Sequence, residues 1–211
     1  MGTVDRNTAN NAERKHQIME SALKRFALHG YHSTKVSDIV ADAGVAQGTF
    51  YWYFKSKEAI AIEIVQDGRE RLLTVIGQGY RKNAGSVQDM VSASEHLLTE
   101  LFHFAKENRY LMGMLLDGTG FSEVVRQEIT VTQMAMEQSF VLNIERATEL
   151  GMLPAAIDAK LRAAFLMSLI EGVLSRWLFR STPESDAIAV KSAELLAAET
   201  ARFEFFGLLG I

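Results

Sequence analysis

Two short stretches of helical periodicity meet at a glycine in this chain. Residues 34–43 place Val36, Ile39, Val40 and Ala43 on one face, and residues 46–53 share an apolar face built from Val45, Phe50 and Phe54. Gly44 between them supplies the left-handed backbone that a tight turn needs, and equally serves as a helix C-cap. Two short helices so joined, the second carrying exposed polar side chains, form the signature of a helix-turn-helix. Gln47, Gly48, Thr49, Tyr51 and Tyr53 are left off the buried face, whereas Trp52 is assigned to packing. Gly48 inside a helix costs about 1 kcal/mol relative to alanine. That cost is tolerable where a side chain would block close approach to another backbone, and DNA is the obvious partner.

The rest of the chain is punctuated as helices. Residues 1–10 are polar and expected to be disordered. A first helix over 11–29 carries Ile18, Ala22 and Phe26 at i, i+4, i+8, with Leu23 and Ala27 alongside, and Gly30 ends it. Ser33 or Thr34 is positioned to cap the next helix. Ser56-Lys57-Glu58 opens a long helix reaching 83–85, with Ile60, Ile64, Val65, Leu72, Val75 and Ile76 along one face. Further helices are predicted over 87–106, 109–116, 121–150, 155–179 and 184–209, separated by Gly-, Asn- and Pro-containing breakers. No β-alternating run or internal repeat interrupts the pattern. The expectation is an all-α protein of about nine helices, with an N-terminal three-helix domain over 1–57 and a helical domain over 58–211.

Charge divides along the same boundary. Residues 1–58 hold eight Lys/Arg against six Asp/Glu, and residues 59–211 hold fourteen against twenty. A mildly basic head on an acidic body suits a small DNA footprint, doubled in a dimer. Cysteine is absent, which excludes disulfides and cysteine-ligated zinc and fits a reducing cytoplasm. The longest apolar run, 163–178, is broken by Glu171 and Arg176 and reads as a buried helix, so no membrane partner is expected. His96 and His103 lie seven apart on one helical face without an acidic residue at metal spacing, so neither metal nor cofactor is expected. Residues 113–119 mimic a phosphate loop but lack its lysine and preceding strand, and no Gly-x-Ser-x-Gly or His-Glu-x-x-His motif occurs. The chain is not expected to be an enzyme.

Ala27, Gly30-Tyr31, Thr34-x-Val36-x-x-Ile39, Ala43-Gly44-Val45, Gly48-Thr49-Phe50-Tyr51 and Tyr53-Phe54-Lys55-Ser56-Lys57-Glu58 stand at the spacing of one known pattern. Over residues 12–64 the chain resembles the TetR family of bacterial transcriptional repressors, departing at Val40, where the family usually has alanine. Beyond residue 64 only the helical character and the length match. The resemblance implies that Gln47, Gly48 and Thr49 approach base edges in the major groove. It also implies that Tyr51 contacts a base or phosphate, and that Lys35, Ser37, Tyr53 and Lys57 hold phosphates. The chemistry agrees, since Gln pairs bidentately with adenine and Thr offers its methyl to thymine or its hydroxyl to any base. The alternative for Tyr51 and Tyr53 is a surface aromatic packed on its own helix.

One short helix reads only a few base pairs, so a homodimer on a palindromic double-stranded operator is the economical solution. The last two long helices offer Leu161, Phe165, Leu169 and Gly172, and Leu196 and Thr200, at three-to-four spacing for that interface, with intrachain core as the alternative. The resemblance implies a ligand cavity in the body. Phe102, Met112, Phe121, Met136, Phe140 and Trp177 are the expected lining, with ordinary core as the alternative for each. Such Met- and Phe-rich surroundings suit a hydrophobic small-molecule effector, a drug-like compound or fatty-acyl derivative. The expected function is a bacterial, cytoplasmic, ligand-responsive repressor released from its operator. An architectural DNA-binding protein without effector is the alternative, and a helical enzyme a distant third.

Overall fold

A computed structural model describes residues 3–180 and 187–209. Among the described residues the chain is all-α. It comprises α1 (Thr3–His29), α2 (Val36–Asp42), α3 (Gln47–Tyr53), α4 (Lys57–Gly77), α5 (Val87–Glu107), α6 (Arg109–Leu116), α7 (Glu123–Glu149), α8 (Ala159–Ser175) and α9 (Ala193–Phe206). Short 3-10 turns lie at Gly118–Gly120 and Gly207–Leu209, and α8 continues into a π-helical stretch at Arg176–Arg180.

The chain divides into two compact units. The first takes in Met1–Gly68 and Gly113–Thr130, the second Arg69–Met112 and Val131–Ile211. The expected boundary after residue 57 therefore falls inside the first unit, because α4 runs on unbroken. In this unit the α1 stripe of Ile18, Ala22 and Phe26 is buried together with Ile39, Val40, Phe50, Phe54 and Ile60. Phe121 and Val125, distant in sequence, complete that core. The Phe121 ring lies 6.2 Å from Phe26 and 5.1 Å from Tyr31, and the Ser122 hydroxyl donates to Glu58 Oε1 at 2.6 Å.

In the second unit Leu98, Leu101, Phe102 and Ala105 of α5 are fully buried, and α9 packs against α5 through Ala193, Leu196, Ala197, Thr200 and Ala201. The Thr200 hydroxyl satisfies itself on the Leu196 carbonyl at 2.6 Å, which is how a hydroxyl is accommodated in that interface.

Several boundaries differ from the sequence expectation for local reasons. Residues 3–10, expected to be disordered, continue α1, since no Gly or Pro interrupts the helix between Thr3 and His29. α2 begins after Lys35 rather than after Ser33 or Thr34. The Asp38 carboxylate accepts from Lys35 N–H at 2.9 Å, while the buried Thr34 hydroxyl turns back to the Gly30 carbonyl at 2.8 Å. α4 stops at Gly77, short of 83, at the pair Gly77 and Gly79. Here Asn143 Nδ2 donates to the Ile76 carbonyl at 3.2 Å, and a Cβ on Gly79 would stand 2.8 Å from Asn143 Nδ2. α7 starts at Glu123 because Phe121 and Ser122 are committed to the first unit. α8 is capped by Asp158 and α9 by Ser192, each side chain accepting from a backbone N–H in the first turn. Within the expected final helix, residues 184–186 lie outside the described residues, and residues 187–190 form a turn.

Candidate nucleic-acid interface and body cavity

The α2–α3 turn is built as the sequence demands. Gly44 adopts φ +62°, its N–H bonds the Ala41 carbonyl at 3.3 Å and Val45 N–H bonds the Val40 carbonyl at 3.0 Å, the double closure of a Schellman motif. Phe50 and Phe54, one helical turn apart, are buried under α3 with ring centroids 5.6 Å apart. Their burial, about 1.5–3 kcal/mol each, fixes which face of α3 looks out. Gln47, Gly48 and Tyr51 are exposed on that outer face, Thr49 and Tyr53 are half-buried, and Lys35 and Ser37 are exposed at the start of α2.

Two expected roles change. Trp52 does not pack inside: it is 67% exposed, and its ring stands edge-on to Tyr53 at 4.7 Å. Lys57 is not a free cation at the start of α4. Its ammonium donates to the carbonyls of Tyr31 (2.6 Å), Thr34 (2.8 Å) and His32 (3.3 Å) and lies 4.5 Å from the Tyr31 ring centroid. An ammonium has three donors, and all three are used, so none remains for a phosphate. Burial lowers its pKa from the usual lysine range. Lys57 is the tie between the α1–α2 connection and α4.

Other residues join the surface that sequence reasoning overlooked. Asn10, Asn11 and Arg14 of α1 line a shallow groove with Gly48, Trp52 and Tyr53, and the Tyr53 hydroxyl reaches Asn11 Oδ1 at 3.4 Å. Asn10 and Arg14 continue the Ile18–Ala22–Phe26 stripe upstream at four-residue intervals. The point where a buried stripe turns polar was the available signal. Asp42, acidic and close to the turn, is neutralised by a two-point pairing with Arg25 at 2.5 and 2.7 Å. That pairing lowers the Asp42 pKa, chiefly through the hydrogen bond, and ties α1 to α2.

The second unit contains a cavity of about 600 Å³ between α5, α7, α8 and α9. Of the expected lining residues only Phe140 is there. Phe102, Met112 and Met136 are buried core, with the Phe102 ring 6.1 Å from that of Trp177. Trp177 donates its indole N–H to the Lys191 carbonyl at 3.1 Å, and Phe121 belongs to the first unit. The residues expected at a dimer interface also separate. Leu161, Phe165 and Gly172 are exposed and Leu169 is half-buried, but Leu196 and Thr200 are buried against α5 within the chain. The exposed large apolar residues of α9 are instead Leu195 and Phe203. His103 pairs with Glu194 at 2.8 Å, and among the described residues no group of three or more His, Cys, Asp or Glu is placed to hold a metal.

Comparison with known proteins places this geometry. Residues 18–64 match the family model described as bacterial regulatory proteins, tetR family. The uncharacterized HTH-type transcriptional regulator YdgC of Bacillus subtilis is 27% identical over 201 residues, 93% of each chain. The Bacillus subtilis transcriptional regulator FadR, solved in complex with stearoyl-CoA, superposes with TM-score 0.71 at 21% identity, covering 92% of this chain and 98% of that one. SmeT in complex with triclosan superposes with TM-score 0.71 at 23% identity over 90% of each chain.

Proposed function

Because the chain belongs to the TetR family of bacterial transcriptional regulators, which bind DNA and are not enzymes, we propose that it is a cytoplasmic repressor that sits on a palindromic operator as a homodimer until a lipophilic small molecule releases it. The observation that carries the reading is the outward face of α3. Gln47, Gly48 and Tyr51 stand exposed there while Phe50 and Phe54 anchor the helix from beneath. A rigid helix offering an amide, a bare backbone position and a phenol suits the major groove. Thr49, Tyr53, Lys35 and Ser37 flank that face as base or phosphate contacts, and Arg14 adds a cation from α1. Lys57 acts one step back, holding the α1–α2 connection on which Lys35 is mounted.

Release is a population shift. A ligand that prefers the conformation unable to span the operator withdraws the protein from DNA by that preference, typically about 1–3 kcal/mol. α4, continuous from residue 57 to residue 77, is the covalent route from body to head. Two relatives held lipophilic molecules, stearoyl-CoA and triclosan. With the apolar cavity of the second unit, they favour an effector of that class. Leu161 of α8 and Leu195 of α9 are the exposed apolar side chains proposed to meet a second copy, with Phe165 and Phe203, which also line the cavity, beside them.

The test is fluorescence anisotropy on the DNA flanking the gene, against a scrambled duplex at matched salt, because phosphate contacts make affinity salt-dependent. Wild type should prefer the flanking DNA, and Tyr51→Ala should lose about 1–3 kcal/mol of operator binding with an unchanged melting curve. Equal affinity for both duplexes overturns the reading, and an unaffected Tyr51→Ala removes Tyr51 from the interface.

A further inference from the structure

The cavity of the second unit is apolar along its length and charged at particular points. Met90, Leu97 and Leu98 line it from α5, Phe140 and Ile144 from α7, and Leu166 from α8. The eight helical rises from Met90 to Leu98 give this wall a length of about 12 Å. Arg81, Arg162, Ser94 and Glu204 also reach the cavity.

These polar groups are not equivalent. The Ser94 hydroxyl donates to Glu204 Oε2 at 2.5 Å, and Arg81 Nη2 donates to the Asp89 and Met90 carbonyls at 3.1 and 3.2 Å. Desolvation of its carboxyl pushes the Glu204 pKa up, with the Ser94 hydrogen bond and the Arg81 charge pulling back. Glu204 thus has a donor and a nearby cation already. The Arg162 guanidinium, at the first turn of α8, makes no hydrogen bond or ion pair among the described residues. An exposed planar fork of donors with no protein acceptor among the described residues, beside an apolar wall one helical segment long, is half of an amphiphile site.

We propose that this cavity binds an amphiphile with an anionic head group, its apolar tail lying along Met90, Leu98, Phe140 and Leu166 and its carboxylate or phosphate paired with Arg162. The charges of Arg81 and Glu204 offset one another, so a cationic amphiphile of equal length would meet the like charge of Arg162, whereas an anion is paired there and the same tail burial drives both. The assignment deepens the effector reading above and rests on the body being the ligand-binding part.

Isothermal titration of the full chain, without DNA, tests it independently of operator recognition. The probes are dodecanoate, dodecyl phosphate, dodecanol and dodecyltrimethylammonium, each below its micelle concentration. Dodecanoate or dodecyl phosphate should bind with one molecule per chain and at least about tenfold more tightly than dodecyltrimethylammonium, the ratio of the two anions showing which head group fits better. Arg162→Gln should weaken the anions about tenfold while leaving dodecanol unchanged, and Arg162→Lys should restore part of the loss. Ala93→Phe, which fills the slot from the half-buried Ala93 of α5, should abolish binding of all four. A cation binding as tightly as the anions, indifference to Arg162→Gln, or full binding by Ala93→Phe would each overturn the proposal. Failure of operator recognition in the anisotropy assay leaves these outcomes untouched.

Discussion

Gly48 bears at once on the stability of α3 and on how closely DNA can approach it. A Cβ built there meets nothing within 4 Å, and the residue is exposed in the middle of α3, so the fold itself does not require glycine. Gly48→Ala should therefore raise stability by up to about 1 kcal/mol through helix propensity. If Gly48 keeps its Cβ position empty so that DNA can approach, the same variant should bind operator more weakly. Denaturant unfolding beside anisotropy reads both quantities, and tighter or equal DNA binding would remove the need for glycine at the interface. The inward side chains of α3 were legible in sequence because Phe50 and Phe54 recur at i, i+4. The outward position of Trp52 was not legible. Two residues from Phe50 it lies about 200° round the helix, on the outer face, and hydrophobicity alone did not reveal that. Lys57 was misread for another reason: its charge suits a phosphate, but its spatial neighbours are carbonyls 23 to 26 residues earlier in the chain.

At the scale of the helices, existence followed from periodicity and ends followed from local hydrogen bonds. The start of α5 was readable from the breaker at Gly85-Ser86, and in the structure Ser86 and Asp89 secure it with a reciprocal capping box, Asp89 N–H bonding Ser86 Oγ at 3.2 Å and Ser86 N–H bonding Asp89 Oδ2 at 2.7 Å. The end of α4 was not, since the Asn143 amide that receives it comes from α7. The pairing that joins α1 to α2 has a consequence for acid stability. Hydrogen bonding to Arg25, aided by its charge, lowers the Asp42 pKa below the usual carboxylate value. Its folded pKa lies below its unfolded one, so its contribution is fully present above the unfolded value and is lost as pH falls through the folded value. Asp42→Asn should lower the neutral plateau of a melting-temperature-against-pH profile and so flatten its acid limb, the two chains converging at low pH. An acid limb identical to wild type would show that the α1–α2 clamp carries no net stabilisation.

Across the whole molecule, the least legible feature in sequence was that the head is assembled from two separated stretches. Periodicity marks Phe121 as apolar but cannot say which unit it serves, and a pocket role in the body was the expectation. Its ring instead closes an aromatic cluster with Phe26 and Tyr31, beside the Ser122–Glu58 hydrogen bond. The body cavity was equally hidden, since an apolar side chain in a helical bundle has the same sequence signature whether it meets another side chain or a void. A head cut at residue 68 would lose Phe121 and Val125, both buried, and leave Phe26 and Tyr31 facing water. Small domains bury too little surface to absorb such a loss. The fragment 1–68 should therefore lack a cooperative thermal transition. In the full chain, Phe121→Ala should cost about 3–5 kcal/mol in that unit, the range for removing a buried phenyl group. Because Tyr31 lends its carbonyl to Lys57, the same variant should also loosen the α1–α2 connection and weaken operator binding. Circular dichroism melts of the fragment and of the Phe121→Ala chain decide the matter. A sharply melting 1–68 fragment would mean that residues 113–130 adorn the head rather than complete it.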